Sequence, residues 1–258
     1  MKTRILSGLL LLPLLAVVYL GGWLLHLLCF AIAVLGLREL AGGFRHMDVK
    51  IDLRIGYGAT ILLYGGSLLV PGADFLLLWV VVAAVASMLT LFDRERRKPA
   101  DAMATFLGLV YVVFFSYHAV LIDRSSEPVF LWFVLLAAFG TDILAYFSGY
   151  LFGRHKLCPA ISPKKTVEGA IGGTLGSVLL CTGAAALLVP HLLFQSAAIG
   201  LLGSIAAQLG DLSASALKRH MEIKDYGDLI PGHGGVLDRF DSVLFTAPFV
   251  YYVVLFAV

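Results

Sequence analysis

Apolar runs recur along the chain at about 5–20, 22–37, 55–70, 75–92, 102–122, 129–153, 167–189, 192–210 and 242–258. Each approaches the ~20 residues that a helix needs to cross a bilayer, the second, third and last falling short. The pattern predicts an all-α, polytopic integral membrane protein with about nine transmembrane helices. The polar intervals support the count. If the N-terminus is cytoplasmic, the inward-facing intervals hold Lys2 and Arg4, then Arg38, Arg45, Lys50 and Arg54, then Arg94, Arg96, Arg97 and Lys98. Next come Arg154, Lys156, Lys164 and Lys165, and last Lys218, Arg219, Lys224 and Arg239. Only Arg124 of the 19 basic residues falls outside. Basic residues gather on the cytoplasmic side of membrane proteins, so this alternation predicts an N-terminus inside and a C-terminus outside. The first run follows a basic start and also suits a signal peptide. No small-x-small cleavage site follows it and further runs come at once, so it reads as a first membrane helix. Segment 38–54 is too polar to span and reads as an interfacial helix or a structured loop. Segment 93–101 reads as a solvated, orienting loop near anionic headgroups.

Composition agrees: 60% of residues are hydrophobic, 14% are charged and the mean hydropathy is +0.92. These values exclude a soluble domain. The net charge of +2 says little about partners, and no nucleic-acid partner is expected. The cysteines Cys29, Cys158 and Cys181 are odd in number and scattered, so no disulfide framework is implied. His155 and Cys158 make a weak zinc pair without further ligands.

Against this apolar background, residues 210–242 form a dense polar block ending in Pro231-Gly232-His233-Gly234-Gly235. Carboxylates suit hard divalent cations, and cations with turn amides suit phosphates. Within the block, Asp211, Ser215, Lys218 and Glu222 share one helical side, with Arg219 adjacent. Asp238, Asp241 and Ser242 cluster where the last run begins. Carboxylates from two helix ends can share a Mg2+ that takes its other ligands from substrate phosphates. Surface ion pairing is the other reading.

Upstream, Asp142 lies near the middle of a predicted span, where an ionisable group is costly. It shares a helical face with Tyr146, Gly149 and Gly153. That face either lines a functional cavity or packs on a neighbouring helix, with the two glycines as a notch. Ser162 or Thr166 can cap the next helix, whose free N–H groups with Lys164 and Lys165 suit a phosphate. Cytoplasmic anchoring alone also explains the two lysines. Gly169, Gly172, Gly173 and Gly176 share a face and permit close helix packing or close approach to a ligand.

The run Ser215-x-x-Lys218-Arg219, then Lys224-Asp225-x-Gly227, Pro231-Gly232-His233-Gly234-Gly235 and Leu237-Asp238-Arg239-x-Asp241-Ser242 resembles the signature of phosphatidate cytidylyltransferases. So do Asp142-x-x-Ala145-Tyr146, Phe152-Gly153-x-x-Lys156-Leu157, Ile161-Ser162-Pro163-Lys164-Lys165-Thr166-x-Glu168-Gly169 and Gln208-x-Gly210-Asp211-Leu212. One departure is Ala214, where that family commonly has Glu.

The resemblance implies an integral membrane enzyme of the bacterial inner membrane, homodimeric, with its active site at the cytoplasmic face. It implies conversion of CTP and phosphatidate to CDP-diacylglycerol and pyrophosphate, with the acyl chains left among membrane lipids. Asp211 and Asp238 match the family's Mg2+ ligands, with a second cation as a further option. Lys218, Arg219 and Asp241 join them as catalytic candidates. Asp142, Tyr146, Lys156, Ser162, Lys164, Lys165, Thr166, Ser215, Lys224, Asp225, Gly232, His233, Gly234, Gly235 and Arg239 are substrate-binding candidates. On this reading residues 1–128 are N-terminal membrane helices, about five spans, and 129–258 form the catalytic region. The alternatives are another CTP-dependent lipid-phosphate enzyme, such as a polyprenol kinase or a related lipid cytidylyltransferase, and a transporter using Asp142.

Overall fold

A computed structural model of the protein describes residues 12–70, 72–230, 232 and 234–257. Among them, seven helical stretches are long and apolar enough to cross a membrane: Gly22–Met47, Asp74–Phe92, Pro99–Asp123, Phe130–Phe152, Val167–Leu188, Pro190–His220 and Leu237–Phe256. The protein is an all-α, polytopic membrane protein. Of the other two predicted runs, 5–20 is described from residue 12 onward, as the helix Leu12–Leu20, and 55–70 forms a helix of 17 residues, Leu53–Leu69. The described residues form two compact units: those up to Val120 with His220–Arg239, and Leu121–Arg219 with those from Phe240 onward.

The first unit begins with α1 (Leu12–Leu20) and α2 (Gly22–Arg45), separated by Gly21 and Gly22 with φ of 60° and 57°. Such left-handed backbone suits glycine and breaks the helix between them. α2 buries Leu25, Cys29, Ala33, Leu37, Leu40, Ala41 and Phe44, a stripe at helical spacing. It continues to Arg45, so the first part of segment 38–54 is helix and the rest is a structured loop. That loop is tied down by two aspartates. Asp52 caps α3 (Leu53–Leu69), accepting the Arg54 and Ile55 amides, and receives the Arg97 guanidinium at 2.5 Å. Asp101 accepts the Lys50 and Lys98 amides at 2.7 and 3.0 Å. Burial works against the Asp52 charge, but the Arg54 and Ile55 donors and Arg97 outweigh it and hold the carboxyl below its usual range. α4 (Ala73–Leu89) leads to α5 (Pro99–Gly108), a π-helical segment Leu109–Phe114 and α6 (Phe115–Asp123). Trp79 of α4 donates to the Ala59 carbonyl at 2.8 Å and stacks on Phe114.

The second unit holds α7 (Phe130–Phe152), a hairpin of β1 (Lys156–Cys158) and β2 (Ser162–Thr166), α8 (Val167–Leu188) and α9 (Leu193–His220). The strands pair antiparallel, with Lys156 opposite Thr166 and Cys158 opposite Ser162. Thr166 caps α8, accepting the Gly169 amide at 3.1 Å; Ser162 lies in β2 instead. α10 (Leu237–Ala257) starts in the first unit and continues in the second. α7 and α8 approach closely. A side-chain carbon on Gly169 would lie 2.8 Å from the Ala145 carbonyl oxygen, and one on Gly173 would lie 2.9 Å from that of Thr141. Close helix packing is therefore what the glycine face of α8 does. α9 runs ten residues beyond its apolar stretch, so Asp211, Ser215, Lys218 and Arg219 are helical. Glu222 lies past its end with φ of 56°, so the predicted shared side stops before it.

Candidate active site

A cleft of about 520 Å³ opens in the second unit. α7 contributes Asp142, Tyr146, Gly149 and Tyr150 to its wall, with Gly153 just beyond the helix end. The hairpin contributes Lys156, Lys164, Lys165 and Thr166, and α9 contributes Gln208 and Asp211. The four residues predicted to share a face on α7 thus all line one cavity. The hairpin places its lysines there because β2 runs straight into the capped start of α8. Lys165 Nζ meets Asp211 Oδ2 at 2.5 Å, and Ser215 Oγ donates to Asp211 Oδ1 at 3.3 Å. Asp142 is open to the cleft and lies within electrostatic reach of both Asp211 and Lys165. Asp241 is buried nearby, its Oδ1 accepting the Ser242 amide at 2.7 Å, and it feels the charges of Asp211, Lys218 and Asp142.

Ser162, Ser215, Lys218, Arg219 and Asp241 belong to this unit but stand outside the cleft lining. Arg219 Nε donates to the Ile161 carbonyl at 3.3 Å and so ties α9 to the hairpin. Glu168 ties down the other side of the hairpin, accepting the Arg154 amide at 3.0 Å and His155 Nδ1 at 2.6 Å. Gln208 bridges α9 to α8 through Thr174 Oγ1 at 3.0 Å. Both residues sit inside quoted motifs, yet their roles emerge only from the fold.

Lys224, Asp225, Gly232, Gly234, Gly235, Asp238 and Arg239 lie in the first unit, and His233 lies outside the described residues. Asp238 Oδ2 accepts the Tyr226 amide at 2.8 Å and the Gly235 amide at 3.0 Å. Gly234 has φ of 85° and lies against Asp225 and Asp238, which explains glycine there. The glycine turn was expected to present free amides, but that of Gly235 is already taken by Asp238. The Val236 and Leu237 amides are taken by Glu39 of α2, each at 2.8 Å. Sequence reasoning missed Glu39. Its only signal was an acid beside Leu37, Leu40 and Ala41 in a half of the chain read as scaffold.

Among the described residues, no three His, Cys, Asp or Glu side chains form a ready-made metal cage. Mg2+ does not require one: it keeps several waters and binds through one or two carboxylates plus substrate phosphates. Asp211 and Asp142, the two carboxylates in the cleft lining, are of the kind and number that requirement asks for, with Lys165 already on Asp211.

The cytidylyltransferase family model matches residues 2–257. This chain belongs to the cytidylyltransferase family. Phosphatidate cytidylyltransferase of Staphylococcus epidermidis is 34% identical over 260 residues, covering 96% of each chain. Its namesake in Synechocystis is 34% identical over 264 residues, 91% of this chain and 89% of the relative. That of Bacillus subtilis is 46% identical over 126 residues, 48% of this chain and 46% of the relative. Our cytidylyltransferase is therefore an integral membrane enzyme of the nucleotidyltransferase class, in phospholipid biosynthesis.

Proposed function

We propose that this enzyme transfers the cytidylyl group of CTP to phosphatidate, releasing pyrophosphate and leaving CDP-diacylglycerol in the bilayer. The observation that carries this reading is the cleft itself: three lysines and two aspartates gathered in one cavity among otherwise apolar helices. An oxygen of the lipid phosphate forms a bond to the α-phosphorus of CTP. The bond from that phosphorus to the oxygen bridging to the β-phosphorus breaks, and its electron pair leaves with pyrophosphate. The nucleophile is already anionic near neutral pH, so no strong base is needed. The protein's work is alignment and charge neutralisation. Lys156, Lys164 and Lys165 hold phosphate oxygens, and Asp211 sets the direction of the Lys165 ammonium. Asp211 would be a ligand of Mg2+, which would supply charge neutralisation on the nucleotide phosphates. The pairing of Asp238 with Asp211 rests on the family resemblance, as do the substrate-binding roles of Lys224, Asp225, His233 and Arg239 and the homodimer.

Purified protein in detergent, given Mg2+, phosphatidate and CTP, should yield a lipid-soluble product labelled from the cytidine and not from the γ-phosphate. Transfer of the γ-phosphate instead would identify a lipid kinase, and no transfer of either label would overturn the reading. The proposal also places the cleft at the cytoplasmic face of the inner membrane, where CTP is available. A reporter active only in the cytoplasm, fused after Val258, should then be silent. A strong signal would reverse the C-terminus and overturn the predicted nine-span topology.

A further inference from the structure

Glu39 does work that neither the motifs nor the relatives' names assign. α10 begins at Leu237, and the first N–H groups of a helix have no partner within it. Such groups are usually capped by a Ser, Thr, Asp or Asn placed just before the helix. Here that place is held by Val236, whose side chain accepts nothing. The acceptor comes instead from α2, 197 positions away: Glu39 Oε1 takes the Val236 amide and Oε2 the Leu237 amide, both at 2.8 Å. Two parallel bonds to the two oxygens fix the plane of the carboxylate as well as its position. Its negative charge also suits the positive end of the helix. Space around it is closed by glycines. A side-chain carbon on Gly227 would lie 2.8 Å from Glu39 Oε1, and one on Gly235 would collide with the same carboxylate.

The next residues on the same strand of chain are Asp238 and Arg239. Asp238 Oδ2 grips the Gly235 and Tyr226 amides, so Gly235 lies between the two carboxylates. We infer that Glu39 is a positioning residue for the transfer reaction: it fixes residues 235–237, and through them the direction in which Asp238 and Arg239 leave the first turn of α10. This inference rests on the proposed cytidylyl transfer.

Its test uses the full-length enzyme in detergent with Glu39→Gln, Glu39→Ala and Gly235→Ala. In the absence of substrate, amide hydrogen exchange at Val236 and Leu237 should speed up at least about tenfold in Glu39→Ala, with α4 and α8 unchanged. In the assay, Glu39→Ala should lose about a hundredfold in kcat, with KM for CTP and phosphatidate within about threefold of the parent. Glu39→Gln keeps one acceptor oxygen and should fall between parent and Ala. Gly235→Ala removes no polar group yet should follow Glu39→Ala, because it pushes the carboxylate aside. A merely stabilising role would lower the melting temperature and leave kcat per folded molecule intact, and that result overturns the inference. So does unchanged exchange at the two amides. If Glu39→Ala does not fold, Glu39→Gln decides on both readouts. The exchange measurement needs no reaction, so it judges the hold of Glu39 on the loop even if the enzyme's substrates prove different.

Discussion

Asp211→Asn should cut turnover by two orders of magnitude or more, the scale on which loss of one preorganised charged group acts in other active sites. The substitution keeps size and one oxygen but removes the charge on which Lys165 Nζ rests at 2.5 Å. The lysine then loses its fixed direction in the cleft, and the proposed Mg2+ loses a hard anionic donor. Lys165→Met should be similarly damaging. The double variant should be little worse than either single one, because residues that act as a unit give non-additive losses. Asp238→Asn combined with Asp211→Asn tests the pairing implied by the resemblance in the same way. Asp228→Asn is the control, since Asp228 lies outside the proposed machinery. Melting temperature in detergent should stay close to the parent's for the Asp211 and Lys165 variants, whose side chains are about a quarter exposed, whereas Asp238→Asn also touches the hold on the Tyr226 and Gly235 amides and is judged on turnover per folded molecule. Near-parental turnover in Asp211→Asn, or equal damage from Asp228→Asn, would show that this cleft is not where the chemistry occurs.

How much of this was legible beforehand depends on the kind of order involved. Apolar runs reported the helices because membrane burial demands nearly continuous hydrophobicity. They located the start of α7 at 130 and of α8 at 167 to within a residue. They stopped at 210, where side chains turn polar as the helix leaves the apolar stretch; the helical spacing of Asp211, Ser215 and Lys218 is what indicated its continuation, which runs to His220 and stops short of Glu222. The shared face of Asp142, Tyr146, Gly149 and Gly153 was legible because it depends only on helical periodicity. The hairpin Lys156–Thr166 was not, since two strands of three and five residues leave no alternation to detect. Nor was Glu39, whose partners are backbone amides that any sequence supplies and whose position is set by tertiary packing. Motif reading favours residues close together in the chain, whereas Glu39 acts on amides almost two hundred positions later.

The largest effect on folding is expected at Gly173 of α8. A side-chain carbon there would lie 2.9 Å from the Thr141 carbonyl oxygen and 2.9 Å from the Ala145 Cβ. The first is backbone of a neighbouring helix and cannot swing aside, so α7 and α8 must separate to admit it. Overpacking of this kind costs about 1–3 kcal/mol for a methylene or two in a tight interior. Gly173→Val adds a branched side chain and belongs at or above the top of that range. The same helix supplies its own control. A side-chain carbon on Gly183 meets nothing within 4 Å, so Gly183→Ala should be neutral or gain up to about 1 kcal/mol from helix propensity. The contrast is read from thermal midpoints in detergent: a clear fall, or no folded protein, for Gly173→Val, and no loss for Gly183→Ala. Thr141 and Ala145 flank Asp142 on α7, so any Gly173→Val protein that does fold should carry Asp142 and Tyr146 outward and lose activity as well. Gly173→Ala should fall between the two, since one methyl meets the same oxygen but brings no branch. Equal midpoints for Gly173→Val and Gly183→Ala would mean that α7 and α8 do not lie as close as described, and the walls of the cleft would have to be redrawn.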